Sequence, residues 1–257
     1  MNQLKEFWTY RFLLKELVKK GIKLKYRRSY LGILWSLIEP LLTTVVLVVV
    51  FGTLFQNSNK DYPLYVISGR LLYSFFQQGT QAASRSIRGN ASMIKKVYMP
   101  KYLYPLSGVL FNFVIFLLSL FALAAVDIYC GVIPSLQLLW WIPGFILLIL
   151  LTTGVGMILA TLNVFFRDIE YIWNVALLLI MYCCAIFYYP ERLLQSGFSF
   201  ILTLNPLYQI IDIFRCGIMG GSVTVWSVVY STVFSLAAVI VGFVVFKKNE
   251  DKFILHI

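Results

Sequence analysis

The residues best suited to chemistry in this 257-residue chain are basic ones directly before its first long apolar run. Lys23, Lys25, Arg27 and Arg28 all fall within residues 23–28. Such a cluster holds its segment on one side of a membrane, and it also attracts anionic groups at roughly 1 kcal/mol per basic residue near the surface. The cluster therefore predicts an orientation anchor, and contact with a phosphate-bearing substrate is the alternative.

Two charged residues fall inside apolar runs, where an ionised side chain needs a partner or water. Glu39 precedes Pro40 in the first run, and the missing N–H of Pro40 kinks or loosens a helix there. This pair indicates that Glu39 faces a partner or a wet cavity. Arg70 lies in the second run and must pair, reach the membrane surface or line a water-filled path. A substrate contact and a structural salt bridge both remain open for Arg70; the predicted acidic neighbours are Asp61, Glu191 and Asp212.

The segment Arg85–Pro105 combines basic and apolar residues between two apolar runs. It is long enough for a short helix parallel to the membrane, ended by Pro100. An exposed apolar patch with a lysine rim is typical of a surface that docks a soluble partner. A helix that is only anchored in lipid is the alternative. The candidate contact residues are Met93, Lys95, Lys96, Tyr98 and Met99.

Aromatic side chains are abundant, with 21 Phe, 16 Tyr and 6 Trp. Ring faces stack on the C–H surfaces of sugars, so aromatic residues in the second and fifth apolar runs are candidates to line a sugar path. Packing or lipid contact is the alternative for each of them. The candidates are Tyr73, Phe76, Tyr182 and Tyr188.

Signatures of intrinsic catalysis are missing from the sequence. It contains no GxxxxGK[ST] loop for nucleotide phosphates, no HExxH motif and no nucleophile elbow. The single histidine, His256, and four dispersed cysteines lack metal-ligand spacing, and the eleven acidic residues are scattered. These features favour a transporter powered from outside the chain over an enzyme; a membrane-embedded glycosyl- or phosphotransferase is the alternative of another class.

The elements that must position these residues are membrane-spanning helices. Sixty per cent of the residues are apolar and 13% are charged, which leaves too little polar surface for a soluble domain of this length. Apolar runs of 18 or more residues are long enough to cross a hydrocarbon core of roughly 30 Å. We therefore predict one all-α membrane domain over residues 1–257, with six spans: Leu31–Phe55, Tyr62–Ala83, Pro105–Tyr129, Leu138–Leu162, Ile172–Tyr189 and Val223–Phe246.

The placement of the basic residues predicts the orientation of these spans. Of 22 Lys and Arg residues, nine lie in residues 1–30, five in 84–104, one at Arg167 and three after Phe246. With six spans, all of these fall on one side, and the positive-inside rule puts that side and both termini in the cytosol. A net charge of +11 spread along one membrane face also argues against a nucleic-acid-binding surface.

Two segments outside the spans carry their own patterns. Apolar and basic residues recur at helical spacing over residues 3–20. This pattern predicts an amphipathic helix in the cytosolic membrane interface with Trp8 at headgroup level. A solvated helix packed on a partner is the alternative.

The segment Phe198–Ile218 is apolar but contains Asn205–Pro206, Asp212 and Arg215. We expect residues 191–222 to form a broken, re-entrant region on the outer side.

Five segments together resemble a known family. KYRRSYLGILWSLIEPLL, YVISGRLLYSFF, SIRGNASMIKKVYMPKYLYPLS, NVFFRDIEYIWN and LNPLYQIIDIFR are similar, in matching order, to the membrane subunit of polysaccharide-exporting ABC transporters. This ABC-2 type permease family includes O-antigen, capsular-polysaccharide and teichoic-acid exporters. The chain departs from the usual family pattern at Glu39, at Arg70 and at Cys184–Ala185.

The resemblance implies a homodimer of this subunit working with two copies of a separate subunit that binds ATP and magnesium, while this chain binds no cofactor. Arg85–Pro105 would be the coupling helix that receives the ATPase stroke, and Leu194–Ile218 would form outer gate helices. The implied function is export of a lipid-linked polysaccharide across the bacterial cytoplasmic membrane; export of a small molecule or drug is the alternative. Arg27 and Arg28 would lie where the pyrophosphate of an undecaprenyl-type carrier enters. The substrate-path candidates are then Arg27, Arg28, Glu39, Arg70, Tyr73, Phe76, Tyr182 and Tyr188.

Overall fold

The computed structural model describes residues 3–27, 29–55, 59–96, 99–132, 136–195 and 197–256. Within these residues the chain forms helices and turns and no strand, which confirms the predicted all-helical architecture. In chain order the α-helices are α1 (Gln3–Tyr26), α2 (Trp35–Leu54), α3 (Tyr62–Gly89), α4 (Ala91–Ile94), α5 (Leu103–Cys130), α6 (Trp141–Phe165), α7 (Ile169–Tyr182), α8 (Glu191–Leu194), α9 (Phe200–Thr203), α10 (Pro206–Met219), α11 (Val225–Asn249) and α12 (Phe253–His256).

Four helical segments of the described chain are long and apolar enough to cross a membrane. They correspond to the first, third, fourth and sixth predicted spans. The second predicted span falls in α3, whose polar residues lower its hydropathy, and the fifth falls in α7, which has only 14 residues. The four segments are Gly32–Leu54, Leu103–Cys130, Leu136–Phe165 and Val225–His256.

Helix α3 is the central helix of the bundle. It packs along α5 and α6, and it buries residues on every side, among them Leu64, Ile67 and Leu72. Its 28 residues make it about 42 Å long. The helix continues to Gly89, so Arg85 lies on one of its last turns, where the sequence predicts the beginning of a loop.

Close helix approach in the bundle depends on glycine. A Cβ atom added at Gly154 of α6 would overlap the backbone of α11 at Ala238, and one added at Gly156 would lie 2.7 Å from the Cβ of Ala83 in α3. Two small residues on α6 thus let α3 and α11 pack on different faces of it.

Both chain ends pack at the same end of the bundle. Helix α1 rests on α5, where Gly21 leaves room for the ring of Phe111. We call the apolar group that it joins the terminal cluster, which consists of Leu14, Leu17, Ile87, Ile94, Leu103, Tyr104, Ala160, Val164, Phe246 and Phe253. The predicted helix at residues 3–20 is confirmed and extends to Tyr26, while the side chain of Trp8 lies outside the described part.

The segment that the sequence predicts to be broken is interrupted twice, between α8, α9 and α10. Asn205 caps α10, because its Oδ1 accepts hydrogen bonds from the backbone N–H groups of Leu207 (3.0 Å) and Tyr208 (3.3 Å). Pro206 occupies the first turn of α10, where its missing N–H costs no hydrogen bond. Helix α10 packs on α3, α6 and α11.

Candidate functional site

A polar cleft opens between the end of α1 and helices α2, α3 and α5. Hydroxyl, amide and charged side chains line much of it, although it lies in a bundle of apolar helices. Its polar lining includes Lys25, Ser36, Glu39, Arg70, Gln78 and Asn112.

Lys25 closes the end of the cleft nearest to α1. Its Nζ donates a hydrogen bond of 2.6 Å to Oε1 of Gln78 on α3. Partial desolvation in this position lowers the pKa of Lys25, while the negative charge of Glu39 acts in the opposite direction. The same two influences both raise the pKa of the neighbouring Tyr26, burial more than Glu39. Lys25 nevertheless remains exposed, so its ammonium group is accessible to an anion, which would stabilise its charged form.

Glu39 stands at the mouth of the cleft, where its side chain is exposed. Helix α2 continues through Pro40. The hydroxyl of Thr43 donates to the carbonyl of Glu39 (2.8 Å), and that of Thr44 donates to the carbonyl of Pro40 (2.7 Å). These hydrogen bonds hold the two threonine hydroxyls against the helix. The structure places Glu39 beside the cleft, and the partner or wet cavity that the sequence indicates for it stays a prediction.

Arg70 projects from α3 into the same cleft. Its Nη1 lies 3.9 Å from Sδ of Met181 in α7, and its Cζ lies 5.7 Å from the ring centroid of Tyr73. No carboxylate oxygen of the described chain lies within 4.0 Å of the guanidinium. The structure therefore lacks the salt bridge to Asp61, Glu191 or Asp212 that the sequence left open.

The structure separates Arg27 from this cleft. Arg27 lies in a basic groove on the outer face of α1, and Arg28 lies outside the described residues. We call this second surface the outer groove; it is lined by Glu16, Lys19, Lys20, Lys23, Leu24 and Arg27. The cleft thus brings Glu39 and Arg70 together with Lys25, a member of the basic cluster for which phosphate contact is the alternative predicted from the sequence.

The four candidate aromatic residues occupy two different environments. Tyr73 and Phe76 are 1% and 4% exposed; the hydroxyl of Tyr73 donates to the carbonyl of Leu177 at 2.8 Å, and Phe76 packs edge-on against Trp173. Both therefore join α3 to α7 inside the protein. Tyr182 is 52% exposed, and its carbonyl accepts a hydrogen bond of 2.8 Å from the hydroxyl of Tyr188.

The candidate coupling residues lie beside the terminal cluster. Met93 and Met99 are half-buried and pack on it, whereas Lys95 and Lys96 are exposed; Tyr98 lies outside the described residues. Nζ of Lys101 donates a hydrogen bond of 2.6 Å to the carbonyl of Glu250. The loop after α4 is thereby tied to the carboxyl end of the chain.

Comparison with known proteins identifies the family. The sequence profile described as ABC-2 type transporter matches residues 13–219. The chain belongs to the ABC-2 type transporter family. Similar curated proteins include the O-antigen export system permease protein RfbA of Klebsiella pneumoniae, which is 32% identical over 246 residues that cover 94% of this chain and 93% of the relative. The RfbA protein of Myxococcus xanthus is 28% identical over 82% of each chain, and the polysialic acid transport protein KpsM of Escherichia coli is 21% identical over 90% of this chain and 91% of the relative.

As a member of this family, the chain is a multi-helix membrane protein, and the resemblance stated from its motifs is confirmed. In the part that the structure describes, no group of three or more His, Cys, Asp or Glu side chains is arranged to hold a metal ion. The four cysteines are free thiols.

Sequence reasoning missed the polar contacts that attach α7 to α3 in this ABC-2 protein. Arg85 forms an ion pair with Glu170, Gln81 donates to Asn174 at 2.8 Å, and Nε1 of Trp173 donates to the hydroxyl of Thr80 at 3.0 Å. We call these three contacts the α3–α7 ladder. The sequence shows these residues only as isolated polar positions on two helices more than 80 residues apart.

Proposed function

We propose that this chain is the membrane subunit of an ABC exporter that moves a lipid-linked polysaccharide across the bacterial cytoplasmic membrane, with ATP hydrolysed by a separate subunit. The observation that carries the proposal is its similarity along 94% of its length to an O-antigen export permease. Capsule export inner-membrane proteins are also among the similar proteins, at lower identity.

The polar cleft supports the lipid-linked part of this proposal. A carrier lipid presents a pyrophosphate at the boundary between its apolar tail and its polar glycan. Lys25 and Arg70 place two cations in one cleft of an apolar bundle, and neither forms an ion pair within 4.0 Å in the described chain. Glu39 lines the same cleft and acts on the charge of Lys25 from beyond ion-pair distance, so both cations keep donors for phosphate oxygens. Hydrogen bonds from charged donors to phosphate are stronger than those between neutral groups.

Six crossings account better for the packing than four. Helix α3 lies antiparallel along α5: Gly108 meets the backbone of Ala82, and Phe113 and Phe116 contact Phe75 further along. If α5 crosses the membrane, α3 therefore crosses it at the same depth. Helix α7 runs back along α3, and the turn that follows it continues toward the end of α3 where Tyr62 lies. With six crossings both termini are cytosolic and residues 191–222 lie outside.

The proposed assembly is a homodimer of this subunit with two ATPase subunits that bind ATP and magnesium. Helices α2 and α7 each expose a row of large apolar side chains, which we assign to the contact with the second copy; α11 exposes a similar row, which we assign to lipid. The rows on α2 and α7 are Val45, Val46 and Val49, and Ile172, Val175 and Leu179. The exposed Lys95 and Lys96 beside the half-buried methionines form the proposed docking surface for the ATPase.

Co-expression with a candidate ATPase subunit tests the proposal. We expect the two proteins to purify together, and the ATPase rate of the complex in lipid vesicles to change on addition of lipid-linked glycan. Replacing Lys95, Lys96 and Met99 together should separate ATP hydrolysis from export without affecting membrane insertion. A complex that responds to apolar drugs and not to lipid-linked glycan would contradict the proposed substrate.

A further inference from the structure

The turn after α7 is both unwound and buried. Residues 183–189 leave the helix, and Cys184, Ala185 and Ile186 are fully buried. Ala185 has a φ of 46°, in the left-handed region that non-glycine residues rarely adopt. Backbone carbonyls released from a helix inside a membrane protein must find donors within the protein, so this turn needs partners from neighbouring helices.

Side chains of three residues supply most of those donors. The hydroxyl of Tyr65 lies within hydrogen-bond distance of the carbonyls of Ala185 (2.8 Å) and Tyr188 (2.9 Å), which share its one proton. The hydroxyl of Tyr62 donates to the carbonyl of Phe187 at 2.7 Å. Nδ2 of Asn205 donates to the carbonyl of Cys183 at 3.0 Å. The turn is thereby attached to α3 on one side and to the beginning of α10 on the other.

Arg215 is the residue that joins these two sides. It is 5% exposed; Nη1 donates to the carbonyl of Ala185 and Nη2 to the carbonyl of Tyr65, both at 3.0 Å. Its Cζ lies 3.5 Å from the ring centroid of Tyr65. Gly69 leaves space for the guanidinium, since a Cβ atom there would overlap it.

Within the described residues, the charge of Arg215 is not neutralised by an ion pair. No carboxylate oxygen of the described chain lies within 4.0 Å of it, and its buried Nε has no hydrogen-bond partner there. Asp212, one turn earlier on α10, is near enough to interact with this charge but forms no ion pair with it. A buried cation whose direct contacts are carbonyls and a ring face is costly to keep. A residue selected for packing alone would be apolar at such a position, so the contacts themselves point to a role.

We propose that Arg215 is a positioning residue that locks the turn at 183–189 to α3 and α10. The lock makes α3, the turn and α10 one unit, and so fixes Tyr188 and the exposed Tyr182 relative to α10. The part of this inference that concerns export rests on the proposed function. The lock itself does not, and it is tested separately.

Alkylation of Cys184 reports directly on the lock. In a chain whose other cysteines are changed to serine, the buried Cys184 should react slowly with N-ethylmaleimide. We expect Arg215→Met to raise the rate about tenfold or more, as loss of charge-assisted hydrogen bonds makes local opening easier. Arg215→Lys should have a smaller effect, and Lys60→Met, which removes an exposed cation elsewhere, should have none. Equal rates in the parent and Arg215→Met would overturn the proposal.

Gly69→Ala provides a second variant in case Arg215→Met does not accumulate. It keeps the arginine but displaces it, so it should raise Cys184 reactivity in the same direction. In the purified complex, both variants should keep assembly and the basal ATPase rate but reduce the response to lipid-linked glycan, and Arg215→Lys should restore part of that response. Unchanged glycan response in a variant with reactive Cys184 would refute the coupling to α10. Absence of any response in the parent would contradict the proposed function and leave the labelling result to decide the lock.

Discussion

At the scale of single residues, the position of a cation around α1 decides what it can bind. Residues two apart on a helix point about 200° away from each other. Lys25 therefore reaches Gln78 in the polar cleft, whereas Lys23 lies in the outer groove. Arg27, just after the helix, joins Lys23 on that outer surface. The basic cluster that the sequence shows as one unit is thus divided between two surfaces.

This division predicts different effects for similar substitutions. Lys25→Gln and Arg70→Gln should each reduce the affinity for lipid-linked glycan about tenfold or more, because each removes a charged donor from the cleft. The affinity is measured from the glycan dependence of ATPase activity in the purified complex. Lys23→Gln is the matched control, and a reduction as large as that of Lys25→Gln would contradict the assignment of the site to the cleft.

The pH dependence of glycan affinity should show whether the ammonium group of Lys25 binds the phosphate. Desolvation lowers the pKa of Lys25 from its ordinary value of 10.5. If the protonated ammonium binds the phosphate, affinity is complete below that lowered pKa and decreases as the pH rises through it. Lys25→Arg should extend full affinity to higher pH, because a guanidinium stays protonated. A decrease at the same pH in wild type and Lys25→Arg would assign the titration to another group.

At the scale of elements, the three polar contacts of the α3–α7 ladder attach α7 to α3, in addition to the contacts of Tyr73 and Phe76. The contacts of the α3–α7 ladder differ in how deeply they are buried. The side chains of Arg85 and Glu170 are 56% and 32% exposed, whereas Thr80 is completely buried. Partly exposed ion pairs contribute about 0–1 kcal/mol, whereas a buried donor that loses its acceptor costs about 1–3 kcal/mol. Within the ladder, the inner contact should therefore contribute more than the outer one.

Two substitutions in the ladder test this ranking. Thr80→Val keeps the shape of the side chain but leaves Nε1 of Trp173 without its acceptor, so it should lower the midpoint of thermal unfolding in detergent. Glu170→Gln should lower that midpoint less, because water still solvates Arg85. Trp173→Phe combined with Thr80→Val removes both partners and should recover part of the loss. Equal decreases for the two single variants would show that the ladder is not graded by burial.

At the scale of the whole molecule, the number of crossings determines where each loop lies. With six crossings the loop after α4 lies in the cytosol and the connection between α5 and α6 lies outside. If only α2, α5, α6 and α11 crossed, with the amino end still in the cytosol, both positions would be reversed. With six crossings Lys96 is cytosolic and Leu136 lies outside. With four crossings Lys96 lies outside and Leu136 is cytosolic.

Cysteine labelling distinguishes the two arrangements. In a chain whose native cysteines are changed to serine, Leu136→Cys should react with a membrane-impermeant maleimide in intact spheroplasts, whereas Lys96→Cys should react only after permeabilisation. Lys60→Cys and Lys252→Cys are controls, since both arrangements place the first outside and the second in the cytosol. Labelling of Lys96→Cys without permeabilisation would refute six crossings.

The sequence by itself was sufficient for the helical architecture and the family. The transfer of apolar side chains into hydrocarbon depends on composition alone, so α2, α5, α6 and α11 are recognisable from their residues. The break before α10 follows from Asn205 and Pro206, whose capping chemistry is local. Family membership follows from motifs spread along the whole chain.

Only the tertiary structure decided the surroundings of α3 and the composition of the candidate site. Neighbouring helices bury much of α3, including Ser68 and Thr80, and hydropathy does not report which residues are covered by protein. Contacts such as those from Arg215 and Ala185 to Tyr65 join residues 150 and 120 positions apart. No local pattern predicts which helix faces meet. The sequence determined which four segments are long and apolar enough to cross a membrane, whereas helix packing decided that Lys25, Glu39 and Arg70 share one cleft.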